Sequence, residues 1–236
     1  MSLKGKTVLI FGGSTGIGAA AAKLLLESEA EVIALARDEG RLSRLRSELP
    51  KVRTMHCDVM RDEDVSAVFA AVDEIHHVVV TAATIRQDKI VGTDMSVLIH
   101  PFYERVVPIY RIVQSAISKM KEGSFVFTSG TLAVRPAIGM GAVGAAISAV
   151  EHLTRTLALE LAPIRSNAIA PGLILTDLMR SFGGENWQQM VAQMSAALPG
   201  KKPGSAEQAA DAIKFLILNK FINGEILTID GGGRFA

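Results

Sequence analysis

The chain has 236 residues, 49% of them apolar but only 5% aromatic, with a formal net charge of +1. That length suits a single α/β domain over residues 1–236 with a sizeable aliphatic core, and the balanced charge gives no reason to expect nucleic acid or an anionic membrane as a partner. The lone cysteine, Cys57, excludes an internal disulfide; no signal peptide or bilayer-length apolar run is read, so a soluble, cytoplasmic protein is expected.

In chain order, the first apolar run, Val8 to Phe11, breaks into glycines at 12, 13, 16 and 18, and strong helix formers follow from Ala19 to Leu26. The order is strand, glycine turn, helix. A helix starting at such a turn leaves its first N–H groups unpaired and carries partial positive charge there, which suits a pyrophosphate. The plainer alternative is a turn that merely needs positive φ. Strands are then expected at Glu31–Ala36, Arg53–Cys57, His77–Thr81, Ser124–Thr128, Asn167–Ala170 and Glu225–Ile229. Between them the pattern predicts helices over Asp38–Leu49, Asp62–Val72, Pro101–Met120 (with Pro108 kinking or delaying it), Gly141–Leu161 and Ser205–Leu218. Repeated β-α-β units of this length predict a Rossmann-type, doubly wound parallel sheet of about seven strands, with ligands bound beyond the carboxyl ends of the strands. The five histidines are scattered and have no metal-ligand spacing with Cys57 or the acids, so no metal site is expected.

At this point the sequence resembles the short-chain dehydrogenase/reductases over essentially its whole length. The run Gly12 to Gly18 looks like that family's Thr-Gly-x-x-x-Gly-x-Gly loop, with Gly12 where Thr is usual. Asp58 and Val59 look like its adenine-contacting pair. The segment Asn167 to Gly172, followed by Thr176, looks like the part that holds the nicotinamide end. The stretch Asn223 to Gly232 looks like its last strand and turn. The resemblance implies a dinucleotide held by Gly12, Ser14, Thr15, Gly16, Ile17, Gly18, Asp58, Val59, Ala82, Pro171, Gly172, Ile174 and Thr176.

The end of the second strand bears on which dinucleotide is favoured. Enzymes for NAD place an acid there for the ribose 2′-OH, whereas enzymes for NADP use a nearby arginine. Here Leu35 and Ala36 are followed by Arg37, whose guanidinium can make paired bonds to a 2′-phosphate, and Asp38 reads as the cap of the next helix. The expected cofactor is NADP(H). The alternative for Arg37 is a solvated loop charge.

The expected chemistry departs from the family. Its usual Ser, Tyr and Lys positions read Gly130, Val143 and Ile147, with Ser129 one residue from the first, and the usual Asn position reads Arg105. Thr81, Ala82, Ala83 and Thr84 replace its Asn-Asn-Ala-Gly, and Arg86, Lys89 and Arg135 lie nearby as solvated surface or as cations facing the pocket mouth. The Tyr–Lys proton relay is therefore missing, and Ser129 and Arg105 are the groups left to polarise a carbonyl. Two readings stand. One is an atypical NADP(H)-dependent oxidoreductase acting on a small carbonyl or alcohol. The other is a non-catalytic NADP(H)-binding protein serving as redox sensor or oligomer partner. The Pro101–Met120 and Gly141–Leu161 helices resemble the pair through which the family dimerises, so a homodimer or homotetramer is expected. Tyr103, on the opposite helix face from Arg105, is expected in an interface or the core.

Overall fold

Each aliphatic run expected to be a strand is one in the computed structural model, which describes residues 2–236. The strands are β1 (Thr7–Phe11), β2 (Glu31–Ala36), β3 (Arg53–His56), β4 (His77–Val80), β5 (Ser124–Thr128), β6 (Arg165–Pro171), the short β7 (Ile174–Leu175) and β8 (Gly204–Ser205), and β9 (Ile226–Ile229). The helices are α1 (Gly16–Glu27), α2 (Glu39–Glu48), α3 (Asp62–Ala70), α4 (Met95–Ala116), α5 (Gly141–Glu160), α6 (Asp177–Gly183), α7 (Trp187–Ala197) and α8 (Ala206–Leu218). Seven strands form one sheet in the order β3-β2-β1-β4-β5-β6-β9, and every pairing in it is parallel. The order reverses between β1 and β4, which opens a crevice at their carboxyl ends.

Alternation along the strands feeds two cores. Leu9, Phe11, Val78, Val80, Phe125 and Phe127 pack with α3, α4 and α5 on one face, while Val8, Ile10, Val79 and Val126 pack with α1 and α8 on the other. Burial on both faces is why these strands are nearly all aliphatic.

Three differences from the sequence expectation have local causes. Helix α4 begins at Met95 rather than Pro101, because Asp94 caps it by accepting the Ser96 N–H at 2.8 Å; both Pro101 and Pro108 then lie inside the helix. Strand β6 begins at Arg165, a charged residue that reads as loop but is buried, donating to the carbonyls of Leu216, Ile217 and Ile222 at 2.8–2.9 Å. Helices α6 and α7 and the β7–β8 pair were not anticipated; Gly183 and Gly184 interrupt the pattern, and neither helix buries a clear apolar stripe. Tyr103 is 50% exposed, so of the two places expected for it, an interface or the core, the core is excluded.

Candidate functional site

The crevice at the switch point is one continuous cavity of about 1150 Å³. Every residue expected to touch the dinucleotide lines it, from Gly12 through Arg37 and Asp58 to Thr176. The turn after β1 is held by the Gly12 and Gly13 N–H groups, which donate to the Leu35 carbonyl at 2.9 and 3.1 Å. Gly12 has φ +84°, and a Cβ there would lie 2.6 Å from the Ala82 backbone nitrogen. A Cβ on Gly18 would come 2.2 Å from the Gly12 carbonyl oxygen. The two glycines thus allow the turn, the start of α1 and the end of β4 to meet at backbone distance. Thr81 strengthens the junction through its hydroxyl, which lies 3.2 Å from the Phe11 and Gly12 carbonyls.

This end fits a pyrophosphate. Thr15 caps α1 with its backbone alone, so its side chain takes none of the first-turn N–H groups, which remain for an anion. Thr176 faces the turn from across the crevice, its methyl 3.3 Å from where a Gly16 Cβ would stand. Farther out, Asp38 accepts the Arg41 N–H at 2.9 Å and is the cap of α2, as its position in the sequence indicates. Arg37 is exposed at the cavity edge. Asp58 is positioned by its own N–H, which donates to Asp64 at 2.9 Å, and by the Met60 N–H that it accepts at 2.9 Å. Cys57 also lines the cavity, but burial, with Asp64 and Asp58 adding to it, pushes its thiol up to about 12, which favours the neutral thiol.

The other end of the cavity is apolar along α5 and the α6–α7 wall. A Cβ on Gly130 would lie 3.4 Å from the Ile147 side chain, and Gly130, Val143 and Ile147 all line the space together. Val143 and Ile147 are buried with Met140 and pack against Ile85, Leu132, Ala133 and Phe182. Beyond them Met179, Phe182, Met190 and Met194 from α6 and α7 close the wall, a contribution invisible without those helices.

Of the polar groups expected here, Ser129 does not offer a free hydroxyl. It is buried and donates to Glu151 of α5 at 2.7 Å. Arg105 does line the cavity, but its side chain is only 6% exposed and one of its nitrogens donates to the Thr84 carbonyl. Burial holds its guanidinium below the usual arginine value, with Glu104 at 3.8 Å pulling the other way. Arg86 pairs with Asp88 at 3.6 Å, and Arg135 donates to the Gly233 carbonyl. Neither these two nor Lys89 is among the residues lining the cavity. Glu104 lines the cavity beside Arg105; sequence reasoning missed it, and its place one turn after His100 on α4 shows only in the structure.

Asn167 is fully buried away from this site. It accepts the Glu225 N–H at 3.0 Å and donates to the Ile222 carbonyl at 3.1 Å, tying β6 to the segment that enters β9. Asp230 holds the final turn by accepting the N–H groups of Gly232 and Arg234 at 3.0 and 2.9 Å.

A family model described as Enoyl-(Acyl carrier protein) reductase matches residues 12–233. A short-chain dehydrogenase/reductase of Acremonium sp is 28% identical over 99% of this chain and 97% of its own. Glucose 1-dehydrogenase of Gluconobacter oxydans is 30% identical, with 97% of this chain and 91% of that protein covered. Among solved structures, a short chain oxidoreductase of Pseudomonas aeruginosa PAO1, described as containing an atypical catalytic center, superposes with a TM-score of 0.89 at 28% identity, covering 98% of both chains. No helix among the described residues is long and apolar enough to cross a membrane. Glycine turn, all-parallel sheet, switch-point cavity and near-full-length matches agree: the chain belongs to the short-chain dehydrogenase/reductase family of oxidoreductases.

Proposed function

We propose that the protein binds NADP(H) and passes hydride between it and a carbonyl or alcohol of largely apolar body, without the family's Tyr and Lys. One observation carries this reading. The cavity that begins at the glycine turn continues past Gly130, Val143 and Ile147 to the Met179–Phe182–Met190–Met194 wall. The cavity, about 1150 Å³ in all, thus extends beyond the residues that would hold a dinucleotide, and its apolar far wall suits a second molecule. Arg37, with Ala36 in place of an acid, supports the 2′-phosphorylated form. Bound there, the cofactor would supply the hydride. Gly12 to Gly18 and the N-terminus of α1 would hold its pyrophosphate, Asp58 and Val59 the adenine side, and Pro171, Gly172, Ile174 and Thr176 the nicotinamide side.

A second reading rests on the cluster of Met140, Val143 and Ile147, which puts only apolar side chains where the family carries its proton relay. It describes an NADP(H)-binding protein without turnover. In either reading residues 1–236 act as one unit in the cytoplasm, and the chain pairs as a homodimer or homotetramer through α4 and α5, where Ile99, Tyr103, Tyr110 and Leu159 are exposed. The deciding experiment is NADPH oxidation over a panel of carbonyl compounds, with binding isotherms on the same sample. Binding with turnover is the expected result, binding without turnover selects the second reading, and absence of binding overturns both.

A further inference from the structure

We propose that Thr84, Glu104 and His100 form a proton relay opening into the cavity, with Thr84 as the group that exchanges a proton with the substrate oxygen. The inference deepens the oxidoreductase reading and rests on it. Thr84 stands in the loop after β4 and Glu104 on α4, and both line the same cavity as Gly130, Val143 and Ile147. The Thr84 hydroxyl donates to Glu104 Oε2 at 2.5 Å, a short hydrogen bond. The same oxygen lies 3.5 Å from Nδ1 of His100, one helical turn earlier, and 3.8 Å from Nη1 of Arg105.

Exposure rises along this chain. The Glu104 side chain is 15% exposed and that of His100 is 45% exposed, so the relay runs from the cavity towards solvent. Both His100 Nδ1 and Arg105 Nη1 are buried atoms with no hydrogen-bond partner of their own, and both face the one carboxylate. Arg105 fixes the geometry rather than moving protons. It donates to the Thr84 carbonyl, and a guanidinium does not give up its proton near neutral pH. Ser129 is not an alternative, because Glu151, the carboxylate to which its hydroxyl donates, is not among the residues lining the cavity.

The step balances. In reduction, hydride and its electron pair, supplied by the reduced cofactor, form the new C–H bond at the carbonyl carbon. The carbonyl π pair takes the Thr84 hydroxyl proton, and protonated Glu104 replaces that proton on Thr84. His100 then returns a proton from solvent to Glu104. The sum is carbonyl plus hydride plus one proton, giving alcohol. Oxidation runs in reverse with Glu104 ionised: Thr84 accepts the alcohol proton as its own passes to Glu104.

The test uses the full chain with NADPH and 9,10-phenanthrenequinone as probe. Glu104→Gln, nearly isosteric, is expected to lower kcat by about 10²–10⁴-fold, to enlarge the solvent deuterium isotope effect on kcat, and to leave the dissociation constant for NADPH unchanged. Glu104→Asp recovers part of the rate, and Thr84→Val repeats the loss if Glu104→Gln melts early. Independently of turnover, the short hydrogen bond should give a slowly exchanging, far-downfield hydroxyl proton resonance in cofactor-free protein that disappears in both Thr84→Val and Glu104→Gln. Glu104→Gln or Thr84→Val turning over at the wild-type rate overturns the relay alone, as does absence of the resonance from wild type. Wild type that binds NADPH yet does not reduce the quinone overturns the oxidoreductase reading and the relay with it.

Discussion

The two ends of the cavity are made from different parts of the polypeptide. At the dinucleotide end the contacts come from backbone: the turn at Gly12, the uncapped N–H groups of α1, and the bend at Gly172, where an added Cβ would lie 2.7 Å from Asp230 Cβ. At the other end they come from side chains projecting off α5 and the α6–α7 wall. The first end is welded to the fold, since any side chain at Gly18 would collide with the Gly12 carbonyl. The second is free to change. Val143 and Ile147 are apolar and leave no buried charge to satisfy, so they pack without disturbing the sheet or α5. The two ends are thus under separate structural constraints in one cavity.

The strongest way to break that contrast is to rewrite the side-chain end. Gly130→Ser, Val143→Tyr and Ile147→Lys together, since such a relay acts as a unit, are expected to raise NADPH-linked reduction of a simple ketone by about 10²-fold or more. NADPH affinity should be kept, with a lower melting temperature because Ile147 is only 6% exposed. Wild-type turnover equal to that of the restored variant would refute the claim that Val143 and Ile147 disable the usual mechanism. Folded, NADPH-binding protein with no gain would show the pocket closed and favour the non-catalytic reading.

A smaller change probes the dinucleotide end. Arg37→Ala should weaken NADPH by about 1.5 kcal/mol, the lower end of the range for a charge-assisted hydrogen bond because Arg37 is exposed, and should leave NADH unaffected. Equal affinities of wild type for the two cofactors by calorimetry would sink the assignment.

The smallest expected effect, per pH unit, lies away from the cavity and separates fold from site in any acid profile. Burial, with the nearby Arg165 charge adding to it, pulls the His77 imidazole down to about 3, and its Nδ1 lies 2.9 Å from the Ser124 hydroxyl. The unfolded chain binds that proton near the ordinary value of 6.5, whereas the folded protein refuses it until about 3. Its contribution to stability is therefore whole above the unfolded value and declines as pH falls between the two, by about 1.4 kcal/mol per unit. Urea unfolding at successive pH values should show that slope, and His77→Gln should flatten it.

Much of the fold was legible because buried parallel strands announce themselves as aliphatic runs, and the glycine turn did so because its spacing follows from backbone contact. The places of Arg37 just past β2 and of Val143 and Ile147 on α5, all lining the cavity, could likewise be read from local register. What escaped depended on distant partners. The Ser129 hydroxyl is taken by Glu151, 22 residues away, and Glu104 acquires its role only when Thr84 folds against it. Helix α4 hid its start because Pro101 reads as a first helical position, whereas the cap is Asp94, about two turns earlier. Helices α6 and α7 hid because a cavity wall, half exposed, carries no strong period.

Strand β9 lies at the edge of the sheet and looks dispensable, yet Arg165 on β6 spends its donors on carbonyls at 216, 217 and 222, and Asn167 beside it is matched only by residues 222 and 225. Trimming the chain after α7 would strand a guanidinium and an amide in the interior, at a cost of about 1–3 kcal/mol for each unmatched polar group and more where it is charged. The chain is therefore not modular. A version ending after α7 is not expected to fold alone and should be recovered only when the missing C-terminal segment is added back in trans.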